Sequence, residues 1–162
     1  MSDAGTNTIA TQRVVIRRGS LSDLQYAPNF DQLIDQYAEQ SSISGMPSRN
    51  PQWPMYQQMV AAGAFHVICA YADTTLVGFV TVLCSVLPHY GALMCTTESF
   101  FVDEHYRKGG TGLRMLREAE QLAKDLGAYG LLISAPMGGR LADVLPRAGY
   151  EETNRVFFRK LA

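Results

Sequence analysis

Phe100-Phe-Val-Asp-Glu-His-Tyr-Arg107-Lys-Gly-Gly-Thr-Gly112-Leu113 runs from an apolar, strand-like segment through a glycine-rich turn and straight into an amphipathic pattern. Leu113, Leu116, Ala119, Leu122, Ala123 and Leu126 recur at helical period. Glu120 precedes Lys124 on one face, and Gly127 sits where a C-terminal cap belongs. The turn therefore opens a helix. The first N–H groups of a helix lack internal partners and lie at the positive end of its dipole, so an anion is stabilised there. Gly109, Gly110 and Gly112 remove the Cβ atoms that would hold a diphosphate away, and Arg107 and Lys108 add positive charge. Neither the Gly-x-x-x-x-Gly-Lys-Ser/Thr loop of nucleoside triphosphate enzymes nor the Gly-x-Gly-x-x-Gly turn of dinucleotide folds is present.

Upstream of this segment, Phe65 to Tyr71, Thr75 to Leu87 and Ala92 to Val102 are rich in Val, Phe, Thr, Ile and Cys. They are separated by Ala72-Asp-Thr74 and Pro88-His-Tyr-Gly91 and read as an antiparallel meander. Arg13 to Arg18 suits a first strand. Ser22-Asp-Leu-Gln25 resembles a capping box, and Leu33, Ile34, Tyr37 and Ala38 continue at helical spacing, with a break near Pro28. Ser41 to Pro54 reads as a loop with apolar anchors at Met46, Trp53 and Met55. Asn50-Pro51 opens a further helix that ends near Gly63. Downstream, Leu131 to Ala135 reads as a buried strand, Leu141 to Arg147 as a short helix and Tyr150 to Leu161 as one or two closing strands. The fold class expected is a mixed, mostly antiparallel α/β (α+β) sheet flanked by about four helices. Residues 1–12 are expected to form a flexible tail and 13–162 a single domain.

The 162 residues and 47% hydrophobic content fit one compact core, and the formal net charge of −1 gives no global attraction to nucleic acid or an anionic membrane. The N-terminal residues lack the pattern of a secretory signal, and no segment is apolar for the roughly 18 residues of a membrane span, so a cytoplasmic protein is expected. Cys69, Cys84 and Cys95 are odd in number, form no CxxC pair and sit in apolar runs. They are expected to be reduced core thiols. His66, His89 and His105 have no metal-site spacing, so no metal is expected.

Arg107-x-x-Gly110-x-Gly112 after an apolar strand resembles the Gln/Arg-x-x-Gly-x-Gly/Ala signature of the GCN5-related N-acetyltransferase (GNAT) family, and the element order matches that family over nearly the whole chain. The resemblance implies acetyl-coenzyme A (acetyl-CoA) as cosubstrate and an amine as acceptor. Arg107, Lys108, Gly109, Gly110, Thr111, Gly112 and Leu113 would hold the pyrophosphate. The backbone of Phe100, Phe101 and Val102 would hold the pantetheine arm in the gap where the fourth strand splays from the fifth at a bulge.

An alkylamine with a lysine-like pKa near ~10.4 is mostly protonated at neutral pH, so transfer needs a base. Glu98 is the only ionisable residue between Ala92 and Val102, and alternation places it with Met94, Thr96, Phe100 and Val102 on one face. Apolar surroundings there would desolvate the carboxylate and make it a better base. A strand N–H near Phe100 to Val102 would meet the developing oxyanion. Many family members carry a last-helix tyrosine in Asn-x-x-Ala-x-x-x-Tyr-x-x-x-Gly-Phe. Aligning Gly149-Tyr150 with Gly-Phe puts Leu145 at the tyrosine position and Gly138 near the asparagine, so this chain departs from the pattern. Two alternatives follow: a CoA-binding module that has lost catalysis, and an enzyme of this fold acting on nucleic acid or aminoacyl-tRNA. Near-neutral charge argues against the latter. The closing strands are where two copies could pair.

Overall fold

The computed structural model describes residues 12–161, so the tail expected over residues 1–12 lies outside the described residues except for Gln12. Five strands form one sheet in sequence order: β1 (Val14–Gly19), β2 (Phe65–Ala72), β3 (Thr75–Leu87), β4 (Ala92–Val102) and β5 (Gly130–Leu132). The first four are antiparallel neighbours, and β5 runs parallel to β4. Alternation in β2 explains the two layers. Phe65, Val67 and Cys69 face one side, where helices α1 (Leu21–Gln25), α2 (Phe30–Ser41) and α3 (Trp53–Ala61) contribute Leu21, Leu24, Phe30, Leu33, Trp53 and Tyr56. Ile68, Ala70 and Ala72 face the other, against Met115, Ala119, Leu122 and Ala123 of α4 (Thr111–Asp125). A short α5 (Arg140–Val144) and a 3₁₀ turn at Pro146–Ala148 follow β5. Among the described residues no helix is long and apolar enough to cross a membrane.

Several sequence expectations shift. The capping box of α1 is built on Ser20, not Ser22: Asp23 N–H donates to Ser20 Oγ at 3.3 Å, and Ser20 N–H donates to Asp23 at 2.7 Å. The break at Pro28 separates two helices, and Asn29 pins it by donating to the Leu76 carbonyl at 2.8 Å. Helix α3 opens at Trp53 with Pro54 in its first turn, beyond the Asn50-Pro51 step. The strand expected at Leu131 to Ala135 is only Gly130–Leu132, because the chain leaves the sheet before Pro136, which has no N–H to offer a ladder. Three residues make too short an edge to template the closing strands, and Tyr150 to Leu161 is irregular, with Val156, Phe157 and Leu161 exposed.

The expectation of three reduced thiols is corrected as well. The β3–β4 register sets Cys84 directly opposite Cys95, with Cα atoms 4.2 Å apart, and they form a disulfide. Cys69 remains a buried free thiol, and burial pushes its pKa up to about 11.

Candidate active site

Thr81 of β3 pairs with Ser99 of β4, and the next residue, Val82, pairs with Thr97, so Glu98 has no partner and sits in a β-bulge. The extra residue breaks the alternation read from sequence. Phe100 and Val102 pack toward α4, while Phe101 and the Glu98 carboxylate face the α1–α3 side, so Glu98 does not share a face with Phe100 and Val102. The same stretch is where β4 and β5 part. Their pairing runs from Met94/Gly130 to Thr96/Leu132 and beyond Thr96 is extended only by a 3.3 Å bond from Ser134 N–H to Thr97 Oγ1. Phe100, Phe101 and Val102 therefore lie on a length of β4 with β3 on one side and no strand on the other. That free edge is a gap in which an extended ligand can meet strand backbone.

The Glu98 carboxylate is exposed, contrary to the desolvated setting expected for it, and is held by hydroxyl groups. Tyr56 of α3 donates to Oε1 at 2.6 Å and Thr81 donates to Oε2 at 2.7 Å. Thr81 Oγ1 also lies 2.6 Å from Ser99 Oγ and accepts the Ser99 N–H at 3.0 Å. Burial, and then the Glu98 hydrogen bond and charge, raise the pKa of the Tyr56 hydroxyl well above its ordinary value, so it stays a donor to the carboxylate. Tyr37 of α2 closes the group. Its ring meets Phe79 and Phe101 edge-on at 6.0 Å, and burial followed by the Glu98 charge raises its hydroxyl pKa too. A carboxylate fixed at both oxygens by neutral donors keeps one orientation while open to solvent.

After β4 the chain makes a 3₁₀ turn at Glu104–Tyr106 and enters α4 through Gly109 and Gly110, whose φ of 96° and 78° are left-handed and suit glycine. Gly112 is different. It lies within the first turn of α4 without a positive φ, and a Cβ built there meets nothing within 4 Å. Neither backbone strain nor packing demands glycine at a position where it weakens a helix, whereas close approach of a ligand to the first N–H groups would favour a small residue there. Lys108 and Leu113 are exposed beside this turn, and Thr111 is buried at its base. The Arg107 side chain turns away from it: Nε donates to the Val102 carbonyl at 2.7 Å, Nη2 donates to Gln40 Oε1 of α2 at 2.6 Å, and the guanidinium lies 5.4 Å over the Phe101 ring.

Tyr56, Thr81, Ser99 and Tyr37 were not singled out as site residues from sequence. Their meeting point is tertiary, and no local spacing signals it. Leu145 is buried, so the last-helix tyrosine position serves the core. Of the other tyrosines, Tyr150 donates to Glu120 at 2.8 Å, and Tyr90 and Tyr129 are exposed. His105 pairs with Asp103 at 2.9 Å and His66 Nε2 lies 3.0 Å from the Gly63 carbonyl. Among the described residues no three metal-ligating side chains converge.

A model described as the acetyltransferase (GNAT) family matches residues 30–137. No curated protein matches the chain. Among solved structures, it is similar to an aminoglycoside acetyltransferase from an uncultured soil metagenomic sample, at 18% identity over 92% of this chain and 97% of that one, with a TM-score of 0.70. A ribosomal-protein-alanine N-acetyltransferase from Brucella melitensis biovar Abortus 2308 is 17% identical over 93% of this chain and 100% of that one, with a TM-score of 0.69. Glucosamine-6-phosphate N-acetyltransferase from Arabidopsis thaliana is 12% identical over 93% and 99%, also with a TM-score of 0.69. At these identities the likeness is one of fold.

Proposed function

Because the chain belongs to the acetyltransferase (GNAT) family, we propose that it is an acetyl-CoA-dependent N-acetyltransferase whose acceptor is an amine. The observation that carries this reading is the position of Glu98, an exposed carboxylate held at a bulge where β4 and β5 separate. A base is needed at that opening, since an alkylammonium cannot attack a carbonyl until it loses a proton. Acetyl-CoA supplies the acetyl group there as a thioester. The open space over Gly112 fits its diphosphate, which the N–H groups of the Gly109–Gly112 turn and Lys108 would hold. Backbone groups on the free edge at Phe100 to Val102 would hold the pantetheine arm.

Glu98 takes the ammonium proton, and Tyr56 and Thr81 keep its oxygens aimed. No side chain needs to protonate the leaving sulfur, because a thiol with a pKa near ~8.5 departs tolerably as thiolate. The named relatives act, by their titles, on an aminoglycoside, a ribosomal-protein alanine and glucosamine-6-phosphate, which supports an amine acceptor. The burial of Leu145 at the family's tyrosine position favours one second reading, a CoA-binding module without catalysis.

Two measurements separate the readings. Isothermal titration of acetyl-CoA tests the cofactor, and thiol release on adding a panel of primary amines tests transfer. Binding with amine-dependent thiol release that Glu98→Gln abolishes is the expected result. Binding with no release by any amine would favour the module, and no binding would overturn both.

A further inference from the structure

Arg107 is half-buried, and none of its hydrogen bonds is with a carboxylate. Other arginines that are bound to side chains, Arg17, Arg18, Arg49 and Arg155, meet Asp or Glu. Arg107 meets instead a backbone carbonyl, the neutral amide of Gln40 and the face of Phe101. A guanidinium carries five N–H donors in a planar fork suited to a carboxylate or a phosphate, and these contacts engage Nε and Nη2 and leave Nη1 unengaged. Partly desolvated charge without a counter-charge is costly unless something supplies one.

Its position says what that is. The Phe101 ring beneath the guanidinium faces the same side of β4 as the Glu98 carboxylate, and Tyr37 is edge-on to Phe101 with its hydroxyl pKa raised by burial and by the Glu98 charge. Glu98 and Phe101 are three residues apart along β4, roughly 10 Å at about 3.3 Å per residue. One face of β4 thus carries an acid at Glu98 and, over Phe101, a cation without a carboxylate partner.

We propose that Arg107 recognises the acceptor, and that the preferred acceptor is an amine carrying an anionic group, a carboxylate or a phosphate, on a short chain from its nitrogen. The anion takes the free N–H groups of Arg107 while the ammonium meets Glu98. Gln40 is a positioning residue that orients the fork. The assignment rests on the acetyltransferase reading above, and it moves the Arg107 side chain, though not its backbone, away from the diphosphate.

The test compares initial rates with acetyl-CoA for hexylamine, ε-aminocaproate and aminohexyl phosphate. At least one anionic probe is expected to exceed hexylamine about tenfold or more in kcat/KM, mainly through KM, and the better of the two identifies carboxylate or phosphate. Arg107→Met should bring that ratio close to one, and Gln40→Leu, outside the cofactor turn, should lower it several-fold. A wild-type ratio of one or less, or a ratio that survives Arg107→Met, overturns the proposal. So does a tenfold loss of acetyl-CoA affinity in Arg107→Met with acceptor preference intact, because the guanidinium would then serve the diphosphate. Calorimetric titration of N-acetyl-ε-aminocaproate, the N-acetyl derivative of aminohexyl phosphate and N-hexylacetamide gives the same comparison without turnover. Preference for an anionic ligand there, with no transfer to any amine, would sink the catalytic reading alone. No preference would overturn the acceptor assignment.

Discussion

The Tyr56 hydroxyl donates a 2.6 Å hydrogen bond to Glu98 Oε1 and so ties α3 to the bulge of β4. Thr81 holds the second oxygen at 2.7 Å, and the two donors leave the carboxylate exposed but fixed. Hydrogen bonds to a charged group contribute about 1.5–3 kcal/mol, enough to matter for how a base is aimed.

Glu98→Gln keeps the shape of the site and removes the proposed base, so kcat should fall on the order of 10²–10⁴-fold. Tyr56→Phe removes only the aiming bond and should lower kcat by roughly 10–100-fold with KM nearly constant. Steady-state kinetics beside thermal melts check both. If Tyr56→Phe loses stability in proportion to activity, the bond supports the fold rather than the base.

Gly112 separates stability from binding. Its backbone is ordinary and a Cβ there finds open space, so Gly112→Ala should leave the fold unharmed or stabilise it by about 0.5–1 kcal/mol, a rise in Tm of a few degrees. The Gly/Ala signature admits that methyl, so it is the larger side chain of Gly112→Leu that should stand in the way of a diphosphate at the first turn of α4 and lower acetyl-CoA affinity. Melts and calorimetric titrations of both variants decide the matter: affinity unchanged in Gly112→Leu would mean that no ligand approaches this glycine.

The bounds of β3 and β4, Thr75–Leu87 and Ala92–Val102, were legible because β-branched and aromatic runs stop there at turn residues. The turn into α4 was legible because three glycines and two cations are more than a helix junction requires. What failed was whatever depended on register. Period-two alternation presumes no inserted residue, so the bulge at Glu98 put Phe100 and Val102 on the wrong side. The Cys84–Cys95 pairing needed the register of the β3–β4 hairpin, and the Glu98–Tyr56 and Arg107–Gln40 bonds join segments whose proximity no local pattern encodes.

The disulfide between Cys84 and Cys95 closes the β3–β4 hairpin across a sequence separation of 11. Cross-linking a loop of that size limits the unfolded chain by about 2–3 kcal/mol, so reduction should lower Tm by several degrees. Intact-mass measurement after alkylation with and without reductant should show one thiol modified, Cys69, in the unfolded non-reduced protein and three after reduction. Three alkylated thiols without reductant would show that the bond does not form, and the Tm would then be insensitive to reductant.

Asp23 gives the fold an acid-sensitive contact. Its carboxylate accepts from Arg17 at 2.7 Å, from the Ser20 N–H and hydroxyl at 2.7 and 2.9 Å, and from the Tyr71 hydroxyl at 3.1 Å. The Arg17 guanidinium, ahead of the Ser20 and Tyr71 donors, holds the Asp23 carboxyl well below the usual carboxylate range. A group whose pKa is depressed on folding stabilises fully above its unfolded value, near ~3.9, and loses that contribution as pH falls through its folded value. Asp23→Asn should therefore melt below the wild type at neutral pH, and the gap should narrow as the pH drops below about 4. Thermal melts of both proteins across that range supply the measurement. A gap of constant size would mean that Asp23 acts through packing and the cap of α1, not through its charge.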